Sequence, residues 1–313
     1  MRAVLTAVRG ARHGLALRSA TLAWILVPML LVTVGANPHS AAASVMQMHG
    51  ALRNPEAVGI VSHRGAAALA PENTLAAMRI ALEQGVEFVE TDVHLTADGV
   101  PVLMHDPTLD RTTNGTGPVA ARTFAEVRAL DAGGWFSREY AGEPVPALEE
   151  FVGLLARSTT RALVELKGEW SDTEIVQVVE MLRGRHMVNR IALQSFEPET
   201  LEMLGSVAPE FARILLTREW DDRVASLAKE MRVSAVGARP KLLDRRPELL
   251  AELQRVGIGA LVYTLNDERR WERAAESGFD LVVTDDPVRF AAWRGDAPVV
   301  TNDIFGASVG GCC

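Results

Sequence analysis

The stretch E-T-D-V-H-L-T-A-D-G-V-P-V-L-M-H-D-P-T-L-D, Glu90 to Asp110, places acids and imidazoles at the ends of two apolar runs. Glu90 and Asp92 are two residues apart, so on an extended strand both side chains leave the same face. Asp98-Gly99 signals a tight turn with no room for a helix. A simple hairpin centred there pairs Asp92 with His105; an extended return along a barrel is the other route. Either brings the acids and His105 together. The same signature recurs outward, at His63-Arg64-Gly65 before this stretch and at Glu165-Leu166-Lys167 after it. Charged groups at the ends of three apolar strands need partners or a metal, because burying an unpaired charge is expensive. One convergent, anion-handling site follows.

Beyond residue 57, short β-branched runs alternate with helical patterns, the rhythm of parallel strands joined by crossover helices. Strands are expected at 58–63, 86–93, 100–105, 162–166, 190–195, 212–216, 234–237, 259–264 and 281–284. Helices are expected at 72–83, 123–130, 148–156, 172–182, 198–204, 223–229, 247–256 and 267–276. Pro71 suits the first helix start, and Gly85 its end. The fold class is α/β, a (β/α)8 TIM barrel spanning 56–295, with an irregular link between the second and third strands. Nine strands compete for eight places, and the pair around Asp98-Gly99 is where the surplus lies.

The chain has 313 residues, 48% hydrophobic and 23% charged, enough for a full core. Its net charge of −8 argues against a broad nucleic-acid or anionic-membrane surface, which needs many cations. The two cysteines, Cys312 and Cys313, end the chain after Gly310-Gly311, so they give neither a disulfide framework nor a thiolate metal site. A terminal Cys-Cys is a prenylation signal in some proteins, but an unstructured tail, 296–313, is the simpler reading. Residues 1–45 read as a signal peptide or N-terminal anchor: Arg2, Arg9, Arg12 and Arg18 precede an apolar run from Ala20 to Ala36, and Ala41-Ala42-Ala43 offers a cleavage site. No acid precedes Glu56. Export with cleavage near Ala43 is expected, a membrane-anchored protein being the alternative.

Glu90, Asp92 and Glu165 make an oxygen-rich set suited to a hard divalent cation, Mg2+ or Ca2+. Zn2+ fits less well, although the nearby histidines keep it in view. The competing reading is a set of rim acids neutralised by Arg64 and Lys167. His63 and His105, each at a strand end, suit proton transfer near neutral pH. Arg64 offers a planar fork and Lys167 a point charge for phosphate oxygens. Lys167 is one of only three lysines, with Lys229 and Lys241.

His63-Arg64-Gly65, Pro71-Glu72-Asn73-Thr74, Glu90-Thr91-Asp92, Leu95 to Gly99, His105-Asp106, Asp110 to Gly115 and Glu165-Leu166-Lys167 resemble the glycerophosphodiester phosphodiesterase family in order and spacing. The second half adds Tyr263-Thr264-Leu265-Asn266 and Thr284-Asp285-Asp286-Pro287. The resemblance implies a metal held by Glu90, Asp92 and Glu165, acid/base roles for His63 and His105, and phosphate contacts from Arg64 and Lys167. It implies hydrolysis of small glycerophosphodiesters to sn-glycerol 3-phosphate and an alcohol. Glu72 and Asn73 would hold the site from behind, or Asn73 would cap the following helix. Phe196 and Tyr263 are candidate pocket walls, with Trp135 and Phe136 weaker ones. Tyr263 stands where Trp is usual in the family, and His94 where Gln is common. Three rivals share parts of this pattern: a sphingomyelinase D-like lipase, a non-catalytic binder of glycerophosphodiesters, and a sugar-phosphate barrel. The last calls for a Gly-rich phosphate loop late in the barrel.

Overall fold

The computed structural model describes residues 48, 50, 52–54, 56–243 and 246–296; the expected leader at 1–45 and the tail beyond 296 lie outside these described residues. The strands are β1 (Gly59–Ser62), β2 (Phe88–Leu95), β3 (Pro101–Leu103), β4 (Arg161–Leu166), β5 (Ile191–Ser195), β6 (Ala212–Thr217), β7 (Ala235–Ala238), β8 (Gly259–Val262) and β9 (Leu281–Thr284). Eight of them pair in parallel in the order β1-β9-β8-β7-β6-β5-β4-β2, and β2 closes on β1. This is a closed eight-stranded parallel barrel with helices between strands, a TIM barrel.

β3 is the surplus strand: it pairs antiparallel with β2 as a hairpin. Its register differs by one residue from the simple hairpin. Val93 pairs with Leu103 and Leu95 with Pro101, so Asp92 faces Met104, not His105, and its carbonyl accepts the Met104 amide at 3.0 Å. The cause is the loop. Thr96 and Val100 are bonded to each other, leaving the three residues Ala97-Asp98-Gly99 in the turn, with Gly99 at φ +75°. β3 also stops at Leu103, so His105 lies beyond the strand on the following loop.

Strict alternation on the strands separates two apolar regions. Val61, Phe88, Leu163, Ala192, Ile214, Leu216, Leu261, Leu281 and Val283 fill the lumen, together with Met48 and Leu52 from the segment before β1. The opposite faces pack against surrounding helices such as Leu148–Leu155 and Asp172–Gly184, through Val89, Leu148, Phe151, Val164, Ile175 and Val178. The first helix begins at Leu75, later than expected, because Asn73 has φ +57° and cannot continue a helix. Thr74 caps it by accepting the Ala77 amide, and Gly85 at φ +64° follows its end. Asn73 is therefore not the cap. The Pro287–Arg294 helix, which stacks Phe290 on Trp271, and the short Pro240–Leu243 turn of helix were not anticipated.

The turn after β1 needs glycine at one place. Gly65 has φ +79°, and a Cβ there would lie 2.6 Å from the Ala77 carbonyl carbon. Gly65→Ala is expected to destabilise the protein by about 3 kcal/mol, combining left-handed strain with overpacking. Urea unfolding measures it; a loss under about 1 kcal/mol would show that the turn can relax.

Candidate active site

The carboxylates of Glu90, Asp92 and Glu165 come within 4.8 Å of one another, and all three residues are buried. Glu90 and Asp92 share the lumen face of β2, and Asp92 is the register partner of Glu165 on β4. Two cations answer them. Lys167 Nζ lies 2.8 Å from both Asp92 Oδ1 and Glu165 Oε1. Arg64 Nε lies 3.2 Å from Asp92 Oδ2, and the Arg64 amide donates to Glu90 Oε2 at 3.0 Å. Arg64 has φ +53°, a conformation that its amide bond to Glu90 and its carbonyl bond to Asn73 help to hold.

Two cations do not balance three acids. Burial, then the Asp92 and Glu165 charges, push Glu90 well above the usual carboxylate range. Burial and Asp92 raise Glu165 to about 7. Burial acts on Asp92 in the same direction, but Lys167, Arg64 and His105 more than reverse it and hold Asp92 below its ordinary value. An additional positive charge among these oxygens would allow all three to ionise, and the all-carboxylate donor set fits a hard divalent cation. The residues that make these ion pairs are thus the same ones that could hold such a cation.

The histidines flank this cluster, and each is tied to its own acid. His63 Nδ1 meets Asp285 Oδ1 at 2.5 Å, while Asn266 Nδ2 donates to the other Asp285 oxygen at 2.5 Å. His105 Nδ1 meets Asp106 Oδ1 at 2.7 Å, and Arg111 Nε donates to Asp106 Oδ2 at 2.6 Å. Arg111 holds Asp106 down at about 2, with His105 assisting against partial burial. Burial acts to raise Asp285, but the bond and charge of His63, the Asn266 bond and the Arg64 charge together outweigh this and keep it low. Burial lowers His105, the Lys167 charge adding to it despite Asp92. Carboxylates on Nδ1 leave Nε2 as the ring atom available to a substrate. Among the described residues neither Nε2 has a hydrogen-bond partner.

Behind them runs a chain of ion pairs. Glu72 accepts from Arg64 at 2.7 Å and from Arg111 at 2.7 and 2.8 Å, which links the β1 loop to the His105 loop. Asn73 donates to Asp92 Oδ2 at 2.9 Å and accepts from Thr91 Oγ1 and the Asp92 amide. Glu72 and Asn73 thus lie behind the acid cluster, bonded to Arg64 and to Asp92. His94 meets the His105 carbonyl at 3.2 Å through Nε2.

His63, Lys167, Phe196, Arg218, Arg239, Tyr263 and Asp285 are each the first residue beyond a barrel strand. Phe196 and Tyr263 pack edge-to-face at 6.2 Å on top of the lumen residues. A cleft of about 420 Å3 opens on the other side, lined by His63, Arg64, Glu72, Asn266 and Asp285. Trp135 and Phe136 are not part of either wall. They pack on each other, Phe136 meets Tyr140, and the Trp135 indole donates to Ala132 O within the surface loop. The sequence reading missed roles for Asp285, Asn266, Arg111 and Gln194, whose amide donates to Glu90 at 3.2 Å. Asp285 could have been found by the rule that exposed His63: a titratable residue directly after an apolar strand.

Residues 63–289 match the glycerophosphoryl diester phosphodiesterase family. A glycerophosphodiester phosphodiesterase of Caldanaerobacter subterraneus subsp. tengcongensis is 32% identical over 73% of this chain and 94% of its own length. One from Bacillus subtilis is 30% identical over 86% and 96%. Among solved structures, a glycerophosphodiester phosphodiesterase from Agrobacterium tumefaciens superposes with a TM-score of 0.65 at 38% identity, covering 75% of this chain and 99% of that one. A phosphodiesterase from Oleispira antarctica, in complex with the product sn-glycerol-3-phosphate, gives a TM-score of 0.71 at 29% identity, covering 77% and 98%. The chain belongs to the glycerophosphoryl diester phosphodiesterase family. That makes it a phosphoric diester hydrolase, with glycerophosphodiesters as its small-molecule substrates.

The raised Glu165 has a consequence for stability in the ion-free protein. A folded value near 7, above the ordinary 4.5, stabilises the fold at acid pH, and that contribution is lost as pH rises from about 4.5 to about 7. In EDTA, wild type is expected to lose on the order of 2–3 kcal/mol relative to Glu165→Gln between pH 5 and 7.5. Urea titrations of both proteins read this out, and a pH-independent difference would remove Glu165 from the crowded set.

Proposed function

We propose that the site hydrolyses glycerophosphodiesters to sn-glycerol 3-phosphate and an alcohol, with a divalent cation, Mg2+ or Ca2+, held by Glu90, Asp92 and Glu165 and with His63 and His105 as the acid/base pair. The observation that carries this reading is the pair of carboxylate-anchored imidazoles, His63–Asp285 and His105–Asp106, on either side of the acid cluster. When bound, the cation supplies charge neutralisation to the phosphoryl oxygens. Arg64 and Lys167 face the same place and add to it as negative charge develops on the phosphate. One histidine accepts the proton of the glycerol 2-hydroxyl through Nε2, and that oxygen attacks phosphorus. The bond from phosphorus to the alcohol breaks, and the other histidine gives its proton to the departing oxygen. A cyclic phosphate results, which water opens with the histidine roles reversed. The neighbouring hydroxyl is already positioned, which favours it over water in the first step. Asp285 and Asp106 fix the tautomer and orientation of each ring.

His63→Ala and His105→Ala are each expected to lower kcat for glycerophosphocholine by roughly 10²–10⁴-fold with the melting temperature retained. EDTA should abolish wild-type turnover, and added Mg2+ or Ca2+ should restore it. Colorimetric release of glycerol 3-phosphate measures both; near-wild-type turnover by either variant, or full activity in EDTA, rejects the corresponding role.

We further infer export, from the basic, acid-free leader and the small residues at 41–43. Among the described residues no helix is long and apolar enough to cross a membrane. Fractionation with mass-spectrometric mapping of the mature N-terminus is expected to find it near residue 44. An intact Met1 on cytosolic protein would contradict export.

A further inference from the structure

Around the barrel, the chemistry occupies one half of the mouth. His63, the acid cluster, Lys167 and Asp285 stand on β1, β2, β4 and β9, while β6 and β7 lie diametrically opposite β1 and β2. Two arginines end those opposite strands. On β6, Leu216 faces the lumen, so by alternation Arg218 does too. On β7, a Cβ at Gly237 would strike the lumen side chains Leu216 and Leu261, so Gly237 and hence Arg239 belong to the same series. Contacts agree with this placement. Arg218 Cζ lies 4.3 Å over the Phe196 ring, and the Tyr263 phenol feels the charges of Glu165, Arg239 and Arg218 together. Arg218 and Arg239 are exposed and make no ion pair among the described residues, unlike Arg64 and Arg111.

We propose that Phe196, Tyr263, Arg218 and Arg239 form the subsite for the leaving alcohol and select glycerophosphodiesters whose alcohol carries an anionic group, a phosphate or carboxylate, over those carrying a quaternary ammonium. The proposal rests on the phosphodiesterase reading above and deepens it. A diester whose phosphate lies at the acid cluster extends one arm across the mouth. The glycerol arm must keep its 2-hydroxyl beside phosphorus and a histidine, so the variable alcohol is the arm that crosses. A quaternary ammonium is recognised by open aromatic faces. Here one face of Phe196 is already covered by a guanidinium, and Tyr263 stands perpendicular to that ring at 90°. The Tyr263 hydroxyl is also engaged, donating to Thr217 O at 3.2 Å. What the wall offers instead is two guanidinium forks suited to oxyanions.

Space is available beside it. A cleft of about 610 Å3 begins at Phe196, Thr217 and Arg218. Its acids include Asp221, which caps its own helix, Asp222, which pairs with Arg246, and Glu219 and Glu230, which oppose the proposed preference. A substrate panel therefore decides the matter. For the metal-supplemented full chain, kcat/KM is expected to fall in the order glycerophosphoinositol 4-phosphate, glycerophosphoinositol, glycerophosphocholine, with at least about tenfold between the first and last. Raising NaCl from 0.05 to about 0.5 M should compress that ratio, because the arginines are exposed. The ratio should collapse in Arg218→Gln/Arg239→Gln, survive in part in the Lys counterparts and invert in Arg239→Glu, with melting temperatures confirming that each variant is folded. A wild-type preference for the choline diester, or a ratio unmoved by the double substitution, overturns the subsite assignment while leaving the phosphodiesterase reading intact. Failure of all three diesters to turn over overturns both.

Discussion

Three buried carboxylates within 4.8 Å of one another, faced among the described residues by two half-buried cations, are the constraint on which the rest of this structure turns. In water such a set would repel weakly; in a low-dielectric lumen each uncompensated charge is worth several kcal/mol. The barrel accepts that burden because the lumen positions below the acids are apolar, Phe88 below Glu90 and Leu163 below Glu165. Packing of those residues fixes the register in which Asp92 lies beside Glu165. A slip of one residue would turn the acids outward and the hydrophobic set with them. Apolar packing thus sets the geometry of the charges, and the charges set what the mouth can bind.

The remaining charged groups read as a response to that excess. Arg64 reaches Asp92 and Glu72, Glu72 reaches Arg111, Arg111 reaches Asp106, and Asp106 holds His105. Glu72 lies between Arg64 and Arg111, and Asp106 against Arg111, so both acids stay ionised despite partial burial. The chain also spans the β2–β3 hairpin, the one irregular connection in the barrel. Without the hairpin the polypeptide would pass from β2 straight to a helix, and no imidazole would reach the acids from that side. The irregularity is where His105 is brought to the acid cluster in an otherwise regular fold.

Much of this was legible in the sequence because it follows from periodicity. Glu90 and Asp92 had to share a face, the strand–helix rhythm had to close as a barrel, and a charged residue directly after an apolar strand had to sit at the mouth. What was not legible depends on three-dimensional detail. The hairpin register hinged on a three-residue turn in place of two, a choice made by the mutual bonds of Thr96 and Val100 and by Gly99 in the left-handed region. Asn73 looked like a cap because it precedes a helix, yet its positive φ points it at Asp92 while Thr74 takes the capping role. Trp135 and Phe136 were drawn toward the pocket by residue type alone, and they pack on each other in a surface loop. Arg218 and Arg239 passed unnoticed because an exposed arginine in a chain with many of them carries no signal until its neighbours are known.

The two halves of the mouth differ in how freely they can change. On β1, β2, β4 and β9, each functional group is held by another charged or polar group, so replacing Asp92 would leave Arg64 and Lys167 facing Glu90 and Glu165 in a new balance. Removing one partner of such a set is penalised beyond the lost contact, because the other charges remain buried. Just beyond β5, β6, β7 and β8, Phe196, Arg218, Arg239 and Tyr263 are aromatic or exposed and stand outside that charge network, so under the proposed subsite a substitution there changes the surface offered to the alcohol without unbalancing the acid cluster. A closed barrel permits this division because its strands end at one level but are packed independently from outside. On the proposed reading, cleavage of the phosphorus–oxygen bond is tied to the buried charge network, and the choice of leaving alcohol to side chains on the opposite half of the mouth.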